Sequence, residues 1–258
     1  MPPNYLKTQA IGMINKNSFK IVATSIAGSA HISHKIPCQD YYKCSIGQNL
    51  VAVLSDGAGS AKYGKIGAKT LCSHLCQVLK NADFKNIETE IKQAINSVRQ
   101  MLTVHRFNKS QNEQGLSDFS ATLVGAIYHQ NKGIFFHIGD GAALSLHDNN
   151  EFRASLPENG CFACETFFFT QKFWQHNLRF TKFEKAQIIF LMSDGVTSFA
   201  FQPDYQNIEP KFIIPINNFL LNEKNSAKAA KALNNTLRTS RAQKLNSDDK
   251  TLVWIKVS

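Results

Sequence analysis

Three apolar runs in this chain end in the same way. LVAVLSDG closes on Asp56-Gly57, GIFFHIGDG on Asp140-Gly141, and QIIFLMSDG on Asp194-Gly195. Each run is short and rich in β-branched or aromatic residues, and reads as a buried strand. A single Asp-Gly after a strand is ordinarily a turn. Three of them put a carboxylate at the same end of three strands. Two further acidic points come just before strands: Asp40 precedes YYKCSI, and Asp248-Asp249 precede KTLVWIKV.

Periodicity predicts strands over 21–27, 41–46, 50–55, 121–128, 134–138, 188–193 and 251–257. One helix is expected from Ser60 as N-cap, with Tyr63, Ile66, Leu71, Leu75, Val78 and Leu79 on its apolar face. A second starts near Asn86 and carries Ile87, Ile91, Ile95, Val98 and Leu102; a third starts near Ser226 with Ala230, Leu233 and Leu237. The Phe-rich stretch 144–186 shows no clear strand, and no repeat is evident. Strand pairs followed by two helices and more strand pairs do not alternate as βαβ. The class is therefore α+β, with antiparallel sheets covered by helices, in a single domain over 1–258 whose first 18 residues form an irregular extension.

Composition narrows the function classes. With 258 residues, 43% of them apolar, the chain can bury a sizeable core and is neither disordered nor a disulfide scaffold. No apolar stretch approaches the ~20 residues that span a bilayer, and the N-terminus lacks a secretory core, so a cytoplasmic protein with no membrane partner is expected. The net charge is +10, but no two Lys or Arg residues are adjacent, so the surface is generally basic without a nucleic-acid signature. Lys62, Lys65 and Lys69 are expected on a solvated helix face. Among six cysteines, Cys161 and Cys164 form a CxxC, and Cys72 and Cys76 sit one helical turn apart. A zinc site would need both pairs together; buried thiols are the simpler reading.

Antiparallel geometry brings the acids together. A hairpin centred on Gln48 sets Asp40 opposite Asp56. The start of one antiparallel strand lies beside the end of the next, so Asp40, Asp56, Asp194 and Asp248 gather at one rim with Asp140 nearby. Like charges so close cannot all ionise unless a cation neutralises them. Oxygen ligands without His or Cys suit Mg²⁺ or Mn²⁺ over zinc. Two such ions ~3.5–4 Å apart would share a bridging water, and the hydroxide formed from it could attack a phosphate monoester.

At these residues the chain resembles the metal-dependent protein phosphatases of the phosphatase 2C type. CQDYY, LSDGAGSAKYGKIGA, SDFSATL, FHIGDGAAL, FLMSDGVTSF and NSDDKTLVWI resemble that family's motifs in order, over nearly the whole chain. GCFACETFFFT also resembles a segment of a stand-alone bacterial branch. The resemblance implies a four-layer αββα sandwich with a dinuclear centre holding two Mn²⁺ or Mg²⁺ ions per chain. It implies that Asp56 bridges both ions, that the Gly57 carbonyl binds one, that Asp194 and Asp248 hold one directly, and that Asp40 acts through water. Asp140 would be available for a third ion. Lys35 stands where many members carry a phosphate-binding Arg. The implied activity is a serine/threonine protein phosphatase, its substrate a phosphorylated protein supplied by a cognate serine/threonine kinase.

Some positions depart from the family pattern. Lys35 offers a point charge in place of a bidentate fork, so His31 or His34 is a candidate helper at the phosphate. Gln39 replaces an acid, Ala58 replaces a His proposed to protonate the leaving group, and Ser198 replaces an Asp. These changes motivate an alternative, a catalytically degenerate module that binds a phosphoprotein. A two-metal nuclease would have the acids but lacks the basic cluster and interleaved aromatics that hold a strand.

Overall fold

The computed structural model describes residues 9–11, 15–16, 19–105, 107, 110–148, 151–158, 166–203, 205 and 207–257. In chain order its elements are β1 (Gln9–Ile11), β2 (Asn15–Lys16), β3 (Phe19–Ile26), α1 (Ser29–Ser33), β4 (Tyr41–Ile46), β5 (Leu50–Ser55), α2 (Gly64–Leu79) and α3 (Ile87–Thr103). There follow β6 (Leu123–His129), β7 (Lys132–Ile138), β8 (Ala142–Leu146), β9 (Phe152–Ser155), α4 (Trp174–Asn177), β10 (Arg179–Glu184) and β11 (Ile188–Met192). The chain ends with α5 (Asp194–Ala200), α6 (Pro210–Asn222), α7 (Ser226–Arg238), α8 (Ser240–Leu245) and β12 (Lys250–Val257).

The strands form two antiparallel sheets. One runs β1-β3-β12-β11-β8-β9, with β2 also on β3; the other runs β10-β7-β6-β5-β4. The central strands carry continuous apolar runs because both of their faces are covered. In β5, Val51 and Val53 pack under α2 and α3, while Leu50, Ala52 and Leu54 face the other sheet. In β12, Leu252 and Trp254 pack against the layer of α5, α6 and α7, while Val253 and Ile255 point between the sheets. Three apolar layers therefore separate helices, sheet, sheet and helices, which is the αββα sandwich. Among the described residues no helix is long and apolar enough to cross a membrane.

The structure departs from the sequence expectations in several places. Helix α2 starts at Gly64 with Tyr63 as N-cap, three residues beyond the expected cap at Ser60. The Tyr63 amide donates to Asp118 O at 2.7 Å, so the stretch after Ser60 is held as a turn. Val78 is 39% exposed and lies outside the apolar face. The N-terminal extension contributes β1 and β2, both paired on β3. The unassigned stretch contains β8, β9 and β10. Cys72 and Cys76 are buried under β4 and donate to the carbonyls of Tyr41 and Lys43. Cys161 and Cys164 lie outside the described residues.

Candidate active site

The hairpin register is Tyr41↔Ser55, which carries Asp40 to the position opposite Asp56. In the other sheet, Met192 pairs with Leu252, so Asp194 leaves β11 beside the point where Asp248 and Asp249 enter β12. The two sheet ends are tied together: Thr251 Oγ1 donates to Asp40 Oδ2 at 2.6 Å and accepts from Ser25 Oγ at 2.8 Å. The result is one cavity of about 490 Å³ whose lining includes Asp56, Asp140, Asp194, Asp248 and Asp249. Asp40 is 2% exposed and is not among the lining residues.

Close backbone approach explains two of the glycines. A Cβ at Gly57 would lie 2.5 Å from the carbonyl carbon of Gly64, where α2 begins. At Gly195 it would lie 1.9 Å from Asp249 O. Each glycine thus lets an aspartate-bearing loop press on its neighbour, and the second draws Asp194 against the entrance of β12. Asp56 is fixed to β6 from both sides: its amide donates to Thr122 Oγ1 at 3.0 Å, and the Thr122 amide donates to Asp56 O at 2.8 Å. Lys250 is fully buried and donates through Nζ to Asn246 O and Asp248 O, each at 2.8 Å, fixing the backbone that presents Asp248.

The carboxyls are held away from their ordinary range. Burial, then the charge of Asp249, pushes Asp40 up to about 6, against hydrogen bonds from Asp56, Thr251 and Ser193. Burial also raises Asp56 well above the usual range, reinforced by Asp40 and Asp194. Asp194 is raised well above it by burial, then by Asp140, Asp40 and Asp248. Asp140 is raised by burial although Thr166 Oγ1 donates to it at 2.8 Å. Asp249 goes the other way: burial opposes its charge, but His31 and the amides of Gly28 and Gln39 together hold it low.

This donor set fits a hard divalent cation. Asp40 and Asp56 face one another, and with no proton between them Asp40 Oδ1 is buried without a donor. Among the described lining residues the one basic side chain is His31. Among the described residues no three His, Cys, Asp or Glu side chains close on a single point. An ion here would therefore complete its shell with backbone carbonyls and water, as Mg²⁺ commonly does.

The expected residues come together with one exception. Asp56, Gly57, Asp140, Asp194 and Asp248 line the cavity, and Asp40 is tied to Asp56. Lys35 is exposed at a left-handed turn (φ 57°) after α1 and is not among the lining residues. The basic residue of that segment in the lining is His31, one turn earlier. Lys65 is not a merely solvated charge, because its ammonium donates to the carbonyl of Cys38. Gln39 has a role that the sequence did not reveal. Its side-chain amide faces Gly57 O at 2.7 Å and Ala58 O at 3.2 Å, acceptors that require its nitrogen on that side. Thr166, Phe168 and Gln171 also line the cavity and were not anticipated. Their signal was the FFFT run, in which apolar packing was the evident role; Phe169 and Trp174 are indeed buried, while Phe173 is 61% exposed.

A family model described as protein phosphatase 2C matches residues 27–245. Serine/threonine-protein phosphatase 3 of Escherichia coli (strain K12) is 26% identical over 194 residues, 71% of this chain and 76% of that protein. Among solved structures, the catalytic domain of the serine/threonine protein phosphatase PstP in complex with 2 manganese ions superposes with a TM-score of 0.65 at 16% identity, covering 93% of this chain and 98% of that one. RsbX in complex with magnesium superposes with a TM-score of 0.58 at 14% identity, covering 98% and 100%.

Proposed function

The chain belongs to the protein phosphatase 2C family, and we propose that it is a Mn²⁺- or Mg²⁺-dependent phosphatase acting on phosphoserine and phosphothreonine in proteins. The observation that carries this reading is the set of four aspartates Asp56, Asp140, Asp194 and Asp248, backed by Asp40, around one cavity with a single basic residue in its described lining. The relative's name, serine/threonine-protein phosphatase, supports the substrate class. In this proposal Asp56, the Gly57 carbonyl, Asp194 and Asp248 would hold the ions. Asp40 acts through water, and Asp140, oriented by Thr166, is available for a third ion.

When bound, such ions neutralise the carboxylates, polarise the phosphate and supply a nucleophilic water near neutral pH. The protein's own part is to hold the donors still. Thr122 fixes Asp56 in both directions, Gly195 lets Asp194 close on β12, and Lys250 anchors the turn of Asp248. Gln39 donates to the Gly57 carbonyl on one lone pair and leaves the other for an ion. Gly59, Ser60 and Asp248 are exposed parts of the lining, so a phosphorylated side chain on a protein surface can enter. Lys35, at its exposed turn, would attract the anionic substrate by charge. A serine/threonine kinase must supply that substrate.

The test is phosphate release from phosphoserine and phosphothreonine peptides in Mn²⁺, Mg²⁺ or EDTA. Release that depends on the cation and stops in EDTA is expected. No release above the EDTA background, from folded protein that binds Mn²⁺ and the phosphopeptide, would overturn the enzyme and point to a binding module.

A further inference from the structure

The alkoxide that leaves phosphoserine is a much stronger base than a phenolate, so its departure calls for a positioned proton donor. Ala58 in the lining carries no proton to give. The other donors there are hydroxyls, of Ser60, Thr122 and Thr166, and the amide of Gln171. With the aspartates given over to cations, His31 is the one remaining side chain in the described lining whose proton is exchangeable near neutral pH.

The geometry of His31 is that of a held imidazole. Its Nδ1 meets Asp249 Oδ2 at 2.9 Å, as a close ion pair. Asp249 is 3% exposed at its side chain and is itself fixed by the Gly28 amide at 2.8 Å and the Gln39 amide at 2.6 Å. His31 is 22% exposed and lines the cavity together with Asp56 and Asp194. With Nδ1 turned to Asp249, Nε2 is the nitrogen left for the substrate. The charged groups acting on the ring are Asp249 and Asp248 at the entrance of β12 and Asp40 before β4. Contact with Asp249 raises the imidazole above its ordinary range, and burial opposes this. The protonated form is thereby favoured.

We propose that His31 is the general acid of this phosphatase and that Asp249 is its positioning residue. This rests on the phosphatase reading above. As the water oxygen bonds to phosphorus and releases one proton to solvent, the bond from phosphorus to the seryl oxygen breaks. That oxygen takes the Nε2 proton, and the imidazole recovers a proton from solvent. Inorganic phosphate and the free serine hydroxyl are the products.

The experiment compares two substrates in Mn²⁺: a phosphoserine peptide, whose leaving group needs the proton, and p-nitrophenyl phosphate, whose leaving group does not. For His31→Ala, kcat on the phosphopeptide should fall about 10²-fold or more, while kcat on p-nitrophenyl phosphate stays nearly unchanged. Added imidazole should restore phosphopeptide turnover in His31→Gly, and Asp249→Asn should show the same selective loss in milder form. Equal losses on both substrates would overturn the proposal, and would mark His31 as a phosphate-binding or structural residue. Unchanged turnover of both would overturn it too. Turnover of p-nitrophenyl phosphate that survives in the variants keeps the phosphatase reading intact whichever way the peptide result falls. Its absence from the wild type would sink both.

Discussion

Replacing Asp40 by Asn should stabilise the metal-free protein. Asp40 is 2% exposed, and burial together with Asp249 pushes its carboxyl from an ordinary 3.8 up to about 6. At ~1.4 kcal/mol per pKa unit, keeping it ionised at pH 7 costs the metal-free fold about 3 kcal/mol. The sign follows from proton binding. The folded carboxyl holds its proton more tightly than the unfolded one, so stability is full below pH ~4 and falls as the pH climbs through about 6. An Asn side chain keeps an oxygen for Thr251 and turns a nitrogen toward Asp56. In EDTA at pH 7, Asp40→Asn should therefore melt roughly 6–12 °C above wild type, taking ~2–4 °C per kcal/mol for a chain of this size. At pH 5 the gain should shrink to about half. Adding Mn²⁺ should raise the wild-type midpoint more than the variant's. Thermal melts followed by circular dichroism decide the matter. A variant no more stable than wild type in EDTA at pH 7, or a gain that does not change with pH, would refute the reasoning.

Other positions are testable in the same way. His137 is fully buried, and burial, then Arg179, holds its imidazole well below the ordinary value. The unfolded state therefore binds the extra proton, and stability should fall below pH ~6.5 by up to ~1.4 kcal/mol per pH unit; His137→Gln should flatten that slope in urea titrations at pH 5 to 7. Gly195→Ala places a Cβ 1.9 Å from Asp249 O. It should cost about 1–3 kcal/mol in chemical denaturation and weaken Mn²⁺ binding, by displacing Asp194. Gln39→Leu would remove the amide that donates to the carbonyls of Gly57 and Ala58. Mn²⁺ affinity measured by calorimetry should drop by about tenfold to a hundredfold, the usual cost of a lost supporting partner.

Those residues also mark what the sequence could and could not show. The β4–β5 register follows from chain symmetry about Gln48, and the structure pairs Tyr41 with Ser55 as that symmetry requires. Strands β5, β11 and β12 were legible because strands covered on both faces carry continuous apolar runs. Strand β10 was not, since RFTKFE lies at a sheet edge, alternates, and has only Phe183 buried. Strand β9 has four residues at an edge of the other sheet and little pattern to read. Helix α6 carries Pro215 and β-branched residues, which mask a helical signal that packing against α5 and α7 supplies. In the site, the aspartates were readable from strand ends. Contacts between residues far apart in sequence were not: His31 meets Asp249, and Gln39 faces Gly57, through folding alone. Lys35 shows the opposite failure, in that its place in the motif suggested a contact while a left-handed turn leaves it exposed.

The central claim is that the acidic rim holds divalent cations. A crystal grown with Mn²⁺ and measured at the manganese absorption edge tests it most directly. Two anomalous peaks are expected in the cavity, within coordinating reach of Asp56, the Gly57 carbonyl, Asp194 and Asp248. Peaks only elsewhere, or none in protein saturated with Mn²⁺, would contradict it.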